Sequence, residues 1–323
     1  MGRARYIVKS AWKMIVGAPW DHDLLDLSRV PVVSLQPLGP WYYDLGRSIV
    51  RGDYQWFDAE GIPREKMGWE IIYHPSRVAS FGLAYVTRHI LQGDPEDLRK
   101  AIKAARWLVA NQVGHGRLEG AFPLPFNWGC VAAPWPSSLT QGTALSLLVR
   151  VYALTTDGAF LRAAQSALIP LERPLEDGGL RHPFHNTAHT WLEEYPDVSD
   201  PSHVLNGFVY ALWGLRDAGL IGVAGAEDLY RDGVRSLAAT LDPFDRGYWS
   251  NYQCPEHSPP RVASLTYHRL HIAMMRIMSQ LEPDEVFARL ADRLEGYAAK
   301  LGFRVKALAG KLGDAGQQRG RKG

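Results

Sequence analysis

From residue 75 to residue 301 the apolar residues recur at helical spacing, and long loops dense in glycine, proline and aromatics separate the runs. That pattern constrains the fold more than any other feature, because apolar positions repeating at i, i+3, i+4 and i+7 specify helices with one buried face. Asp94-Pro95-Glu96-Asp97 is a strong start signal, with a capping Asp, Pro at the first helical position and acids in the first turn. Leu98, Ile102, Ala105 and Val109 then fall on one face. A run from Thr140 to Thr155 groups Leu145, Leu148, Val149 and Tyr152, and another from Val204 to Ala218 ends at Gly219, a normal terminator. Further runs cover Pro75 to Leu91, Leu229 to Leu241, Ala263 to Leu281, and Glu285 to Leu301 with Phe287, Leu290, Leu294 and Tyr297 in register. Paired helices alternating with long loops, such as Leu124 to Ser138 and Pro243 to Pro260, predict a mainly α chain. The expected architecture is an α/α toroid, an incomplete α/α barrel with its long loops on one functional rim.

The ends of the chain are less regular. Val30 to Leu38 and Trp41-Tyr42-Tyr43 suggest a few strands or an arm, so residues 1–65 are expected to form an N-terminal extension and residues 66–303 the toroid. Residues 304–323, rich in Gly, Lys and Arg, are expected to be a basic disordered tail. With 46% apolar and 22% charged residues the chain has an ordinary globular composition, and a net charge of +2 gives no argument for nucleic acid. Cys130 and Cys254 are too few for a disulfide framework or a thiolate metal site. No apolar run reaches the length of a membrane span, and Lys9 and Lys13 break the apolar character of the basic N-terminus, which makes a poor signal peptide. The expectation is a soluble, cytoplasmic protein, with an amphipathic N-terminal helix as the alternative reading of Gly2 to Lys13.

Two segments carry chemistry. Trp191 to Gly207 places Glu193, Glu194 and Tyr195 on one short stretch leading into an apolar helix. Tyr267-His268-Arg269-Leu270-His271 opens another helical run and supplies a second phenol beside two imidazoles. A carboxylate on one element and a tyrosine on another suit a two-base proton transfer. Each has a blander reading: an acid pair at a helix start, a Tyr packed in the core, histidines that are satisfied core residues or, less readily, metal ligands. A zinc site would want a third ligand, and there is no His-Glu-x-x-His motif. Asn206 could cap backbone or touch sugar, and Gln141 could order the Trp135 loop or bond a hydroxyl. Trp128, Trp135, Trp191, Trp249 and Tyr252 lie in loops, and as a cluster they point to a sugar groove, although any one of them taken alone is better read as packing. No G-x-G-x-x-G follows a strand and no Walker or calcium-loop motif is present, so the chemistry is expected to need no cofactor.

The ordered tags go further. Tyr73-His74-Pro75, Ser80-Phe81-Gly82-Leu83-Ala84, Trp135, Gln141-Gly142-Thr143-Ala144 and Leu147 to Tyr152 come first. Gly178-Gly179, Trp191 to Pro196, Val204 to Phe208, then Asp245, Gly247, Tyr252, Tyr267-His268 and His271-Ile272 follow. In this order, from about Tyr73 to Leu281, the chain resembles the C-terminal helical domain of the heparosan-glucuronate 5-epimerases. The resemblance implies an isomerase that inverts carbon 5 of glucuronate within a glycan polymer, giving iduronate. It implies Glu194 and Tyr267 as the acid/base pair, Tyr195 and Tyr252 as tyrosines lining the site, and a homodimer. Trp135, Gln141, Arg181, Asn206, His268 and His271 are the candidate substrate-binding residues. His268, Arg181 and Asn206 are candidates to neutralise the substrate carboxylate, and His268, Arg269 or His271 to lower the Tyr267 phenol. One departure stands out: where the animal enzymes carry a basic segment after the loop tyrosine, this chain reads Gln253-Cys254-Pro255-Glu256, leaving Arg261 or Arg269 to take its place. A uronate polysaccharide lyase and a glycan-binding protein without turnover are the rival readings.

Overall fold

The computed structural model describes residues 38–320, with side chains to residue 314. The readings of Val30 to Pro37 and of the basic N-terminus lie outside the described residues. Two compact units divide at residues 237 and 238 rather than at residue 65.

The first unit, residues 38–237, begins with Trp41, Tyr42 and Tyr43, all buried. Their rings pack on Tyr210 and Trp213, so this stretch belongs to the helical core instead of forming an arm. Helix α1 (Gly46–Val50) leads into an antiparallel sheet of β1 (Trp56–Phe57), β2 (Pro63–Met67) and β3 (Glu70–Ile72), in the order β1-β2-β3. Strand β2 runs through residue 65.

Helices α2 (Pro75–Gln92), α3 (Pro95–Asn111), α4 (Ser138–Thr155), α5 (Gly158–Ser166) and α6 (Ile169–Glu172) follow. The expected start of α3 is present: the Asp94 carboxylate accepts from Glu96 N at 2.8 Å, with Pro95 at the first position. Its buried face differs from the expected one. Ala101, Ala104, Ala105 and Leu108 are fully buried, while Leu98, Ile102 and Val109 flank them half-buried. Small side chains let α3 approach its neighbours closely, and the larger residues close the edges.

Helix α4 is buried on every side from Ser138 to Val151, so no single stripe of it marks the core. Helix α7 (Leu205–Leu220) crosses it at two glycines: a Cβ on Gly142 would lie 2.1 Å from the Tyr210 carbonyl, and one on Gly214 2.4 Å from the Gly142 carbonyl. At that distance only glycine fits. Helix α7 runs past Gly219 to Leu220, and the left-handed turn is taken by Gly222 at φ 78°. Helix α8 (Ala226–Ala239) completes the unit, and the hairpin of β4 (Arg181–Pro183) and β5 (Thr190–Leu192) lies between α6 and α7 in sequence.

The second unit, from residue 238, contains β6 (Asn251–Gln253) paired antiparallel with β7 (Arg261–Val262), then α9 (Leu265–Leu281), α10 (Glu285–Ala299) and α11 (Leu301–Gly320). Phe287, Leu290 and Leu294 of α10 are buried as their spacing required. Residues 304–320, expected to belong to a disordered tail, lie in α11. Ala307 is buried with Trp249, Val262 and Ala263, and the Asp314 carboxylate accepts from Val262 N at 2.9 Å. That apolar anchor falls within a stretch whose composition reads as basic. Among the described residues no helix is long and apolar enough to cross a membrane.

Candidate active site

The two glutamates that follow β5 have different surroundings because consecutive residues of an extended segment point to opposite sides. Glu193 continues the hairpin: its N–H donates to Leu180 O at 2.8 Å, and its carbonyl accepts from Ser138 N, the first residue of α4, at 3.0 Å. Its side chain is fully buried. One carboxylate oxygen accepts from Ser202 N, Ser202 Oγ and His203 N at 3.1, 3.2 and 3.0 Å, and the other lies 2.6 Å from His203 Nδ1. A carboxylate has only acceptors to offer here, so the Nδ1 proton of His203 is the donor. Glu193 therefore braces the loop into α7, where His203 sits at φ 46°, and all of its bonding goes to the fold.

Glu194 is turned the other way, over the first turn of α7. Asn206 Nδ2 donates to Glu194 Oε2 at 2.9 Å, and a Cβ on Gly207 would stand 2.6 Å from both the Cβ and Oε2 of Glu194. The glycine of Asn206-Gly207 thus makes the seat for this carboxylate, which lies at the helix end that favours negative charge. Asn206 is buried, and its Oδ1 has no hydrogen-bond partner among the described residues. Asn206 thus spends its amide N–H on Glu194 and keeps its carbonyl oxygen beside the carboxylate.

Tyr195 extends from Glu194 into an aromatic group. Its ring lies 5.8 Å from Trp128 at 17° and 6.0 Å from Trp135 at 49°. Trp135 is 3% exposed, with its Nε1 donating to Phe126 O at 2.6 Å, so it supports Tyr195 from within and does not offer a face to solvent. Phe126 in turn packs on His74, at the start of α2, whose imidazole is pulled down to about 4 chiefly by burial. Trp191 and Trp249 are also fully buried, so of the loop tryptophans singled out in the sequence only Trp128 is strongly exposed. Gln141 is buried and fully committed: its oxygen accepts from Phe122 N, and its nitrogen donates to Gly120 O and Ala167 O. That ties a loop to α4 and leaves nothing for a substrate hydroxyl. Arg181, half-exposed, faces Asp232 at 3.5 Å and Thr190 Oγ1 at 3.3 Å.

In the second unit, Ser264 caps α9 by accepting from Tyr267 N at 3.2 Å, which fixes Tyr267 in the first turn. Tyr267 is 38% exposed, and its ring lies 4.6 Å from that of Tyr252 on β6. His268 is fully buried and stacked on Trp249 at 3.7 Å and 10°. Ser250 N–H must donate to its Nδ1 (3.1 Å), so the ring proton is on Nε2 and donates to Leu294 O at 3.0 Å. His271, also buried, meets Ser250 Oγ through Nδ1 at 3.0 Å. Burial pulls both imidazoles down to about 3. They are neutral structural groups, so neither supplies a cation to the phenol or to a substrate carboxylate. His271, four residues after Tyr267, lies in a different environment. Burial, and then Arg304, also lowers the Arg269 guanidinium. Arg261, the other stand-in for the missing basic segment, is exposed on β7. Cys254, in the segment that departs from the animal pattern, is buried, and burial pushes its thiol up to about 12.

The two buried histidines make acid stability a readout of this packing. An unfolded His titrates near ~6.5, so below that pH the unfolded chain binds more protons. The stability these rings contribute is complete above that pH and is lost progressively as pH falls towards about 3. Urea midpoints measured from pH 7 to pH 4 should fall steadily, and less steeply in His271→Leu; equal slopes would contradict the assignment.

The sequence readings missed Gly207, the Glu193–His203 brace and the Ser250 bridge. A glycine after Asn206 could have signalled a close approach; nothing in the pattern marks Ser250.

A mainly helical chain whose central helices cross at glycines and whose sheets are small and open has an α/α-barrel fold. A sugar epimerase from a ruminal bacterium superposes with a TM-score of 0.52 at 13% identity, over 91% of this chain and 73% of that one, a likeness of fold alone. Residues 115–296 match the D-glucuronyl C5-epimerase C-terminus family, and the chain belongs to it. D-glucuronyl C5-epimerase of Caenorhabditis elegans is 28% identical over 296 residues, 82% of this chain and 46% of that protein. An uncharacterized protein of Methanocaldococcus jannaschii is 31% identical over 158 residues, 48% of this chain and 50% of that protein. The chain spans about half the length of the curated relatives it matches.

Proposed function

We propose that this chain inverts carbon 5 of D-glucuronate residues in a heparosan-like glycan polymer, giving L-iduronate, with Glu194 and Tyr267 as the two proton-handling groups. The observation that carries the reading is the seat of Glu194: a carboxylate almost removed from water and oriented by Asn206 against the first turn of α7. The C5–H bond lies α to the substrate carboxylate, so removing its proton places charge on that carboxylate. One base takes the proton from one face, and the other group delivers a proton to the opposite face. Desolvation and fixed orientation are what a base needs to act on so weak an acid. Asn206 holds the carboxylate and leaves Oδ1 for a sugar hydroxyl. Tyr195 and Tyr252 belong to the same assignment as neighbouring tyrosines. Direct proton transfer needs no redox cofactor. As part of this proposal the enzyme works as a homodimer in the cytoplasm.

The decisive experiment follows the H5 proton of heparosan by NMR in heavy water, with ultraviolet absorbance recorded alongside. Loss of the H5 signal and new iduronate resonances, without absorbance, is the expected outcome. Rising absorbance would mean β-elimination and make the protein a lyase. No exchange on any uronate glycan would remove the enzymatic reading.

Gly207→Ala tests the seat itself. The added methyl collides with Glu194 at 2.6 Å, so the exchange rate should fall by roughly 10- to 100-fold, as misplacement of a catalytic group costs. The thermal midpoint should fall as well, reflecting ~1–3 kcal/mol of overpacking that the higher helix propensity of Ala offsets only in part. An unchanged exchange rate would show that the position of Glu194 does not matter.

A further inference from the structure

Trp128 is about half exposed and sits at the end of a closed hairpin. The loop closes in three steps. Leu124 and Trp135 exchange backbone hydrogen bonds at 2.8 and 3.3 Å, and Asn127 Oδ1 accepts from Ala133 N at 2.8 Å. Trp128 and Val131 then exchange two bonds at 2.9 Å around the tip Gly129-Cys130. Gly129 takes the positive φ, 59°, that a two-residue hairpin demands at its first position. One face of the indole is backed by the nearly parallel ring of Tyr195. Tyr195 is itself held by Trp135 and is the residue next to Glu194 in the chain.

A single exposed aromatic needs no explanation by itself, and Trp69, 98% exposed beside Gly68 at the β2–β3 turn, has none. Trp128 differs in standing on a closed hairpin and stacking on a second ring, so a ligand that covers its open face has less side-chain ordering to offset. Pyranose rings present one face of C–H groups, which suits a flat indole, and their hydroxyls project from the ring edge and stay in water.

We propose that Trp128, stacked on Tyr195, is a binding platform for a pyranose ring of the glycan next to the uronate that reacts. This rests on the reading of the chain as a uronate-glycan enzyme. Trp128 makes no proton transfer; it holds the polymer and so acts on binding rather than on the chemical step.

The test measures binding of a heparosan hexasaccharide by calorimetry, and turnover by C5 exchange in heavy water, for the parent protein and for Trp128→Ala, Trp128→Leu and Trp128→Phe. Loss of one ring contact should raise Kd and KM about tenfold in Trp128→Ala, with kcat within about threefold of the parent. Trp128→Leu, which keeps apolar bulk on Tyr195 but offers no aromatic face, should behave like Trp128→Ala. Trp128→Phe should recover most of the affinity. Near-parental binding by the Ala or Leu variant would overturn the platform, and so would a fall in kcat at constant KM. A parent protein that does not bind the hexasaccharide would overturn it as well. Binding that depends on an aromatic at position 128, with no exchange in the parent, would keep the platform and discard the epimerase reading.

Discussion

Glu194→Gln is expected to abolish inversion at C5, with a loss on the order of 10³-fold, while leaving the fold intact. The amide has the shape of the carboxylate and can still accept from Asn206 Nδ2, so the seat beside Gly207 stays filled, but it cannot take up a proton at neutral pH. The neighbouring residue gives the opposite result. Glu193→Ala deprives Ser202 N, His203 N and His203 Nδ1 of a common buried acceptor. At ~1–3 kcal/mol for each buried donor left unsatisfied, the loss should reach ~3–5 kcal/mol in urea denaturation. Adjacent glutamates would thus separate into an activity phenotype and a stability phenotype. More than about a tenth of the inversion surviving in Glu194→Gln, measured by NMR in heavy water, would remove Glu194 from the proton transfer. Tyr267→Phe keeps the ring against Tyr252 and removes only the hydroxyl. If the two groups serve opposite faces, this variant should still wash out the C5 hydrogen of one epimer while failing to invert it. Comparing glucuronate and iduronate polymers as starting material would then show which group serves which face.

How much of this was legible in the sequence depended on whether a residue's role is set locally or by packing. The cap at Asp94, the α10 stripe of Phe287, Leu290 and Leu294, and the helical course of Ala263 to Leu281 are local, and the structure has them. Periodicity could not find the buried face of α3, because alanines carry a weak hydrophobic signal but permit the closest approach. It also gave no guide to α4, where every side is covered. The helical tail shows the same limit: buried Ala307 and the Asp314 carboxylate tie down a stretch that composition assigns to solvent.

The motif residues divide along chemical lines. Glu194, Asn206 and Tyr195 are gathered by one segment and the helix that follows it, so their proximity could be read from their spacing. His268, His271 and Gln141 were singled out as polar groups in a promising neighbourhood. In the structure they are buried and bonded to Ser250, Leu294, Phe122 and Gly120, none of which the sequence connects to them. A polar residue in a motif says that some partner is required. Only packing tells whether that partner is the protein or the ligand.

The second large effect lies in the core of the first unit. Asp217 of α7 accepts from Arg150 of α4 through both carboxylate oxygens, from Ser146 Oγ at 2.6 Å and from Tyr42 OH at 3.0 Å. Arg150 and Asp217 are 3% and 1% exposed, and Arg150 Nε also donates to Gly39 O at 3.2 Å. This pair joins the two central helices and fastens residues 39–42 onto them; burial, then Asp217, pushes the Tyr42 phenol well above its ordinary value. Asp217→Ala leaves a guanidinium buried without its counter-charge, which should cost ~3–5 kcal/mol. The double variant Arg150→Met, Asp217→Leu removes both charges and should recover most of that loss, since apolar replacement of a buried ion pair is often neutral or better. Urea denaturation followed by near-ultraviolet circular dichroism would report both the midpoint and the packing of Trp41, Tyr42 and Trp213. A single variant as stable as the parent would mean that the pair contributes little. A double variant no better than the single would mean that the network holds the helices through its geometry, and that the buried charge is not the cause of the loss.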